Sequence, residues 1–282
     1  YKESQMHIFI INFLLIIFFS STDMLASYFP ANSWEISSPE QQQVRSDNVN
    51  ALINLAFLDD STQAVVVVKN GKIISEKYAE GYDKNSHGTS WSMAKSYYAA
   101  LIGISIDKGE ISSLDDKVGK YLDYFNDERS EITIRDLLDM SSGLDFPKDE
   151  HETMFFQEDH LKYAMNVGVE KSAGLKFEYN NVNSMLLGDI LIAATGKKAD
   201  TLLKERILDH IGVKDYKLWK DENGNVLTYC CVDMSARDYS KIGLLFSRNG
   251  NWDGKQLISK KYVDETFQVV WDITPERFTE LK

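Results

Sequence analysis

Cysteine is almost absent: Cys230 and Cys231 are the only two in 282 residues, and they are neighbours. Adjacent cysteines make a poor staple between distant parts of a chain, so a disulfide framework is excluded. Without a second cysteine pair or suitably spaced histidines, a structural metal site is excluded as well. The pair is expected to serve as small packing residues in a strand or turn. Positive charge is also scarce. Against 43 aspartates and glutamates stand 31 lysines and arginines, a formal charge of −12. No basic stripe runs through them, which excludes a protein that tracks nucleic-acid phosphates. The acids fall in scattered pairs such as Asp115 and Asp116, Asp149 and Glu150, and Asp221 and Glu222, the pattern of solvated loops and helix ends.

A membrane-spanning run is lacking too. The longest apolar stretch, Ile8 to Phe19, is short for a bilayer and follows Lys2 and His7, which is the pattern of a signal peptide. Residues 1–26 are therefore read as an export leader, with Ala26 as the cleavage candidate and an uncleaved membrane anchor as the alternative. The expected location is periplasmic or secreted. Residues 27–46 read as a polar linker and residues 47–282 as one domain. No internal repeat occurs, and no G-x-S-x-G elbow. His151, Glu152 and His160 do not complete H-E-x-x-H, and "DENGNV" lacks the glycine and glutamate of a calcium loop. Both are expected to be solvated turns, with no metal or cofactor implied.

What the chain does have begins with "AVVVVKNGKIISEKYAEGY". A β-branched run, Asn70-Gly71 and a second alternating run predict an antiparallel hairpin of Ala64–Lys69 and Lys72–Ala79. Helices follow: Ser92 to Lys108 ending at Gly109, one capped by Thr133, two stopping at Gly196 and Gly212, and one opening at Ser235. A second small hairpin is expected near Asn223-Gly224. No comparably strong strand follows the first hairpin, although two strands alone are marginal in water.

The first of these helices holds an anomaly. From Lys84 to Asp107 the only formal charge is Lys95, among Met93, Ala94, Tyr97, Tyr98, Leu101 and Ile102. Ser92 lies three residues earlier, so both face the same side of a helix and the amine can reach the hydroxyl. A serine needs a base to become a nucleophile, and a lysine in an apolar surround is a candidate because such a surround disfavours the ammonium. The competing reading is a capping serine with a snorkelling lysine. Ser105 and Lys108 repeat the spacing, but Ser105 lies on the opposite face and Lys108 in the last turn. Trp91, Tyr97, Tyr98 and Trp219 are expected to pack in the core rather than line a pocket.

The series "SWSMAKSYYAALIGISIDKGEI", "SSLDDKVGKYLDYFN", "EITIRDLLDMSSGLDF", "FEYNNVNSMLLGDILIAATGK" and "SARDYSKIGLLFSRNGNWDGKQLIS" resembles the serine β-lactamase and penicillin-binding-protein superfamily. Within it the series is most similar to class C β-lactamase-like esterases and amide hydrolases. The resemblance implies an α+β, β-lactamase/transpeptidase-like fold, an antiparallel sheet flanked by a large helical region. It also implies Ser92 as an acylated nucleophile with Lys95 as its partner. The Y-x-N motif falls on Tyr179 and Asn181: Tyr179 would share or relay the proton, and Asn181 would bind Lys95 or the substrate amide. A helix-capping role competes at both positions. The implied substrate is a small ester, an amide or a peptide. A β-lactamase or D-Ala-D-Ala carboxypeptidase is the rival enzyme, and an inactive module binding peptidoglycan or a protein is the rival outside catalysis.

One expected motif is missing. The superfamily's Lys/His-x-Gly strand is not found, since Lys241-Ile242-Gly243 and His210-Ile211-Gly212 read as helix interior and helix end. The chain is accordingly expected to be a C-terminally incomplete fragment lacking sheet strands and one oxyanion donor. Residues 1–282 alone are expected to be inactive or unstable.

Overall fold

Asn70 and Gly71 take left-handed backbone, with φ of 52° and 80°, which is what a two-residue turn between right-twisted strands requires. They join β1 (Ala64–Lys69) to β2 (Lys72–Tyr78) in an antiparallel pair, with a register shift between Val67 and Val68. The computed structural model describes residues 28–30, 33–145 and 153–271. The leader, and with it the cleavage candidate Ala26, lies outside the described residues, as do His151 and Glu152. No helix among the described residues is long and apolar enough to cross a membrane.

The segment read as linker is laid against the domain. Ser37 N–H donates to the Ile73 carbonyl and Ile73 N–H to that of Glu35, both at 3.0 Å, so residues 34–37 add a short rung beside β2. Trp34 is buried and its indole N–H donates to the Arg237 carbonyl. The polar composition that suggested a tether belongs to side chains, whereas the docking uses backbone groups and one indole. Nearby, a Cβ on Gly71 would stand 2.1 Å from the Tyr28 carbonyl oxygen, so close approach fixes glycine there as firmly as the turn does. Helix α1 (Ser46–Ala56) packs Val49 and Ile53 on the hairpin face carrying Ile74.

Strand β3 (His87–Thr89) leads through a 3₁₀ turn at Trp91–Met93 into α2 (Ala94–Asp107). The helix therefore starts two residues later than the predicted Ser92. Helix α3 (Ile134–Leu138) opens on a reciprocal capping box between Thr133 and Asp136. Then come α4 (His160–Asn166), α5 (Asn181–Thr195) and α6 (Ala199–Leu203), the last running into a π-helical turn at Lys204–Leu208. Gly196 closes α5 at φ 71°. Helices α2 and α5 pack together at the centre of the main core and are apolar nearly all round, as enclosed helices are. Tyr98, Leu101 and Ile102 from α2, with Leu186, Ile190 and Leu191 from α5, are almost fully buried.

The strands that the sequence conceals are short. β4 (Lys217–Leu218) and β5 (Val232–Ser235) join β3 in an antiparallel sheet of order β3-β5-β4. At two to four residues each they cannot display a period-two pattern. Cys230 and Cys231 precede β5 as buried residues. Near Asn223-Gly224 the turn makes only an isolated bridge between Lys220 and Val226. Helix α7 (Ala236–Ser247), capped by Ser235, is followed by the small hairpin of β6 (Asn251–Trp252) and β7 (Lys255–Gln256) and by α8 (Lys260–Thr266). Lys241 lies inside α7 and His210 in the turn after the π-helical stretch.

Candidate active site

The first turn of α2 presents Lys95 beside Ser92, with Nζ 3.1 Å from Oγ. Ser92 is exposed and makes no capping bond; the N-cap of α2 is Met93. The lysine's surround is not the apolar one its neighbours in sequence suggested. Nζ also donates to Asn181 Oδ1 at 2.8 Å and to the Tyr229 carbonyl at 2.7 Å. Three oxygens thus match the three donors of an ammonium. The aromatic faces of Tyr179 and Tyr229 lie 4.9 and 5.7 Å from the same nitrogen, within cation–π range. The apolar residues flanking Lys95 in sequence, Tyr97, Tyr98 and Leu101, point into the core on the other side of the helix.

The junction before α5 supplies the next two groups, and the structure separates their roles. Asn180 is the N-cap: its side chain accepts from Val182 N–H, and its amide donates to the carbonyls of Leu144 and Asp145. Asn181 is thereby spared capping and turns its amide oxygen to Lys95. Tyr179, just before Asn180, is 40% exposed and turns its ring face to Lys95 Nζ. Ser92, Lys95, Tyr179 and Asn181 are brought together around Lys95 Nζ. Ser105 is buried and accepts from Arg206, on the far side of the helix from Ser92.

Two contributors escaped sequence reasoning. Tyr229 acts through a backbone carbonyl, which leaves no mark in residue identity. Its hydroxyl pairs with His160 Nδ1 at 3.0 Å in a buried contact, which corrects the reading of His160 as part of a solvated turn. Burial holds the His160 imidazole below its ordinary pKa, against the opposing pull of Asp221, so the neutral ring is favoured. Asp221 in "DENGNV" accepts the His160 backbone N–H and two bonds from Asn225. These bonds tie the turn to the start of α4, and no cluster of metal-ligating side chains occurs among the described residues.

A seam of hydrogen bonds holds the segment before Ser92 against β5. Ser90 N–H donates to the Val232 carbonyl, and Val232 N–H returns a bond to Ser90 Oγ, each at 2.9 Å. Thr89 and Trp219 both donate to the Asp233 carboxylate, at 2.6 and 2.8 Å. Trp91, immediately before Ser92, sits at φ 46° and is 60% exposed. Its ring pairs with that of Trp219 at 6.3 Å. Of the four aromatics expected to pack in the core, Tyr97 and Tyr98 do so, whereas Trp91 is turned outward at the rim.

An α+β arrangement with an S-x-x-K pair on a central helix and a Y-x-N segment opposite defines the β-lactamase/transpeptidase-like class of hydrolase folds. The chain belongs to the β-lactamase family, whose sequence profile matches residues 58–240. Among curated proteins it is similar to a D-aminopeptidase of Brucella anthropi, 28% identical over 178 residues, covering 56% of this chain and 33% of that one. It is also similar to an N-acetylmuramyl-L-alanine amidase of Bacillus subtilis, 25% identical over 181 residues, covering 53% and 41%. The chain thus spans a third to two-fifths of the length of these relatives. In fold it resembles a protein assigned as a 6-aminohexanoate-dimer hydrolase from Bacillus anthracis. That likeness has a TM-score of 0.69 at 22% identity, over 86% of this chain and 68% of the other. A penicillin-binding protein homologue from Pyrococcus abyssi gives a TM-score of 0.66 at 18% identity, over 82% and 61%.

Proposed function

We propose that the protein is an exported serine hydrolase that cleaves a carboxylic ester or amide through an acyl-enzyme on Ser92. The observation that carries this reading is the 3.1 Å contact of Lys95 Nζ with an exposed Ser92 Oγ, in a lysine otherwise held by Asn181 and the Tyr229 carbonyl. An ammonium with three protons engaged must shed one before it can take the serine proton. Tyr179, whose ring faces Nζ, is the group through which that proton leaves and returns, so the two side chains act as one coupled acid and base. As Oγ attacks the carbonyl carbon, its proton passes to the Lys95–Tyr179 pair. Collapse of the tetrahedral intermediate returns it to the departing alcohol or amine. Water, deprotonated by the same pair, then releases the acid and regenerates Ser92. Asn181 keeps the lysine on its rail and offers its amide N–H₂ toward the substrate.

The names of the two curated relatives favour the amide side of this substrate class. The test is covalent labelling of the full-length protein with a fluorophosphonate, followed by a panel of a small nitrophenyl ester, a D-amino-acid anilide and a chromogenic cephalosporin. A single adduct on Ser92, lost in Ser92→Ala, supports the reading. No adduct, or one that survives that substitution, overturns it.

A further inference from the structure

We propose that His160 is a positioning residue for the Ser92–Lys95 pair, holding the Tyr229 carbonyl on Lys95 Nζ by accepting the Tyr229 hydroxyl in its neutral form. The inference rests on the roles proposed for Ser92 and Lys95, and it starts from the two ways in which Tyr229 meets the lysine. Its carbonyl accepts from Nζ at 2.7 Å, and its ring centroid lies 5.7 Å from the same nitrogen. The far end of that side chain, the hydroxyl, stands 3.0 Å from His160 Nδ1. One buried residue thus joins the proposed base to a histidine.

Tyr229 needs such an anchor because its backbone belongs to a turn. Cys230 N–H donates to the Leu227 carbonyl at 3.1 Å, which closes a four-residue turn with Tyr229 at its third position. A carbonyl there takes its direction from local dihedrals rather than from a sheet ladder, so the side chain decides where it points. Tyr229 and His160 are both buried, and the imidazole packs between the rings of Tyr229 and Phe155, with centroids 6.0 and 6.2 Å away. His160 is fixed in turn at the start of α4, where its backbone N–H donates to Asp221 Oδ2 at 3.0 Å. The phenol is therefore tied to a group that cannot drift.

The tie depends on charge. A neutral imidazole keeps one nitrogen bare to accept the phenol proton, whereas an imidazolium carries hydrogen on both. Protonation removes Nδ1 as an acceptor and sets a second cation against the ring that already faces Lys95. Protons can reach His160, because it lines a cavity of about 260 Å³ that it shares with Glu158, Lys220, Asp221 and Glu222. Burial disfavours the charged ring and prevails over Asp221 and Asp159, which favour it. The neutral, accepting form is accordingly the one present at neutral pH.

The test is fluorophosphonate labelling of Ser92 in the full-length protein, with the reagent's dissociation constant and its maximal labelling rate fitted separately. At neutral pH, Tyr229→Phe and His160→Phe should each lower the maximal rate about tenfold, the equivalent of one lost hydrogen bond, and leave the dissociation constant unchanged. The double variant should be no slower than either single one, since both break the same link. His160→Gln still offers an oxygen to the hydroxyl but does not titrate. It should label at nearly the wild-type rate and lack the extra loss of rate that the wild type shows below about pH 6.5. A wild-type rate in either folded phenylalanine variant overturns the proposal. So does a His160→Gln as slow as His160→Phe, or one whose pH profile matches the wild type. Should His160→Phe fail to fold by circular dichroism, Tyr229→Phe and the pH profile of His160→Gln decide. If the wild type does not label at all, the hydrolase reading fails, and trace acetylation of Lys95 by acetic anhydride decides this one: faster in Tyr229→Phe than in the wild type supports it, equal overturns it.

Discussion

Lys95 donates to three oxygens, so replacing it removes more than the base proposed for Ser92. Lys95→Met leaves Asn181 Oδ1 and the Tyr229 carbonyl without their common donor, and fluorophosphonate labelling of Ser92 should fall to background. Asn181→Ala removes one acceptor of a charged donor, a contact worth about 1.5–3 kcal/mol. Its acylation rate should drop about tenfold to a hundredfold while the melting temperature stays nearly unchanged, because Asn180 rather than Asn181 caps the helix. Behind them, His160 provides a pH signature. Its folded pKa lies below the ordinary 6.5 because burial disfavours the imidazolium. The unfolded chain therefore binds the extra proton first, and stability present above pH 6.5 is lost as pH falls from there toward the folded value. His160→Phe should flatten that part of the stability curve, measured by denaturant unfolding at a series of pH values. Ser92 and Lys95 were legible because helical spacing converts a three-residue interval into contact. Tyr229 was not, since its contribution is a carbonyl that any residue could offer, and the role of His160 depends on a partner 69 positions away.

At the scale of elements, α2 must serve as both core and platform. Gly103 lets α8 cross it: an added Cβ would stand 2.4 Å from the Tyr262 ring, whose hydroxyl donates to the Ala99 carbonyl at 2.6 Å. Gly103→Ala should destabilise the protein by about 1–3 kcal/mol through overpacking, read from the shift in denaturant midpoint. Thr133→Ala, which breaks the capping box of α3, should cost roughly 1 kcal/mol and leave the labelling rate of Ser92 untouched. The hairpin of β1 and β2 was readable because Asn70-Gly71 encodes its turn locally. The β3-β5-β4 sheet was not, because its pairing joins residues such as Thr89 and Asp233 through contacts no local window contains. The start of α2 was displaced for a related reason: Trp91 at positive φ interrupts what reads as continuous helix.

At the scale of the whole molecule, the hairpin and α7 are clamped by Arg237 on Glu76. Arg237 Nε donates to the carboxylate at 2.8 Å, and a second guanidinium nitrogen completes a fork. Hydrogen bonding from Arg237 is the main reason that the Glu76 pKa lies below the usual 4.5. A carboxylate with a depressed folded pKa adds stability above its unfolded value and loses it as pH falls through the folded one. Glu76→Gln should therefore destabilise the protein at neutral pH and reduce the loss of stability on acidification below about pH 4.5, followed by thermal unfolding.

The seam between the Ser92 segment and β5 also sets a timetable. Its bonds join residues separated by 142 positions for Ser90 with Val232, 134 for Lys95 with Tyr229 and 144 for Thr89 with Asp233. Contacts so distant in sequence demand closure of a long loop before they return any stability. On a ribosome, β1, β2 and α2 emerge early, but Lys95 cannot meet the Tyr229 carbonyl until the chain has been made past residue 229. A nascent chain arrested before that point should carry a serine that no fluorophosphonate labels, and the reactivity should switch on only at lengths that let Asp233 clear the exit tunnel.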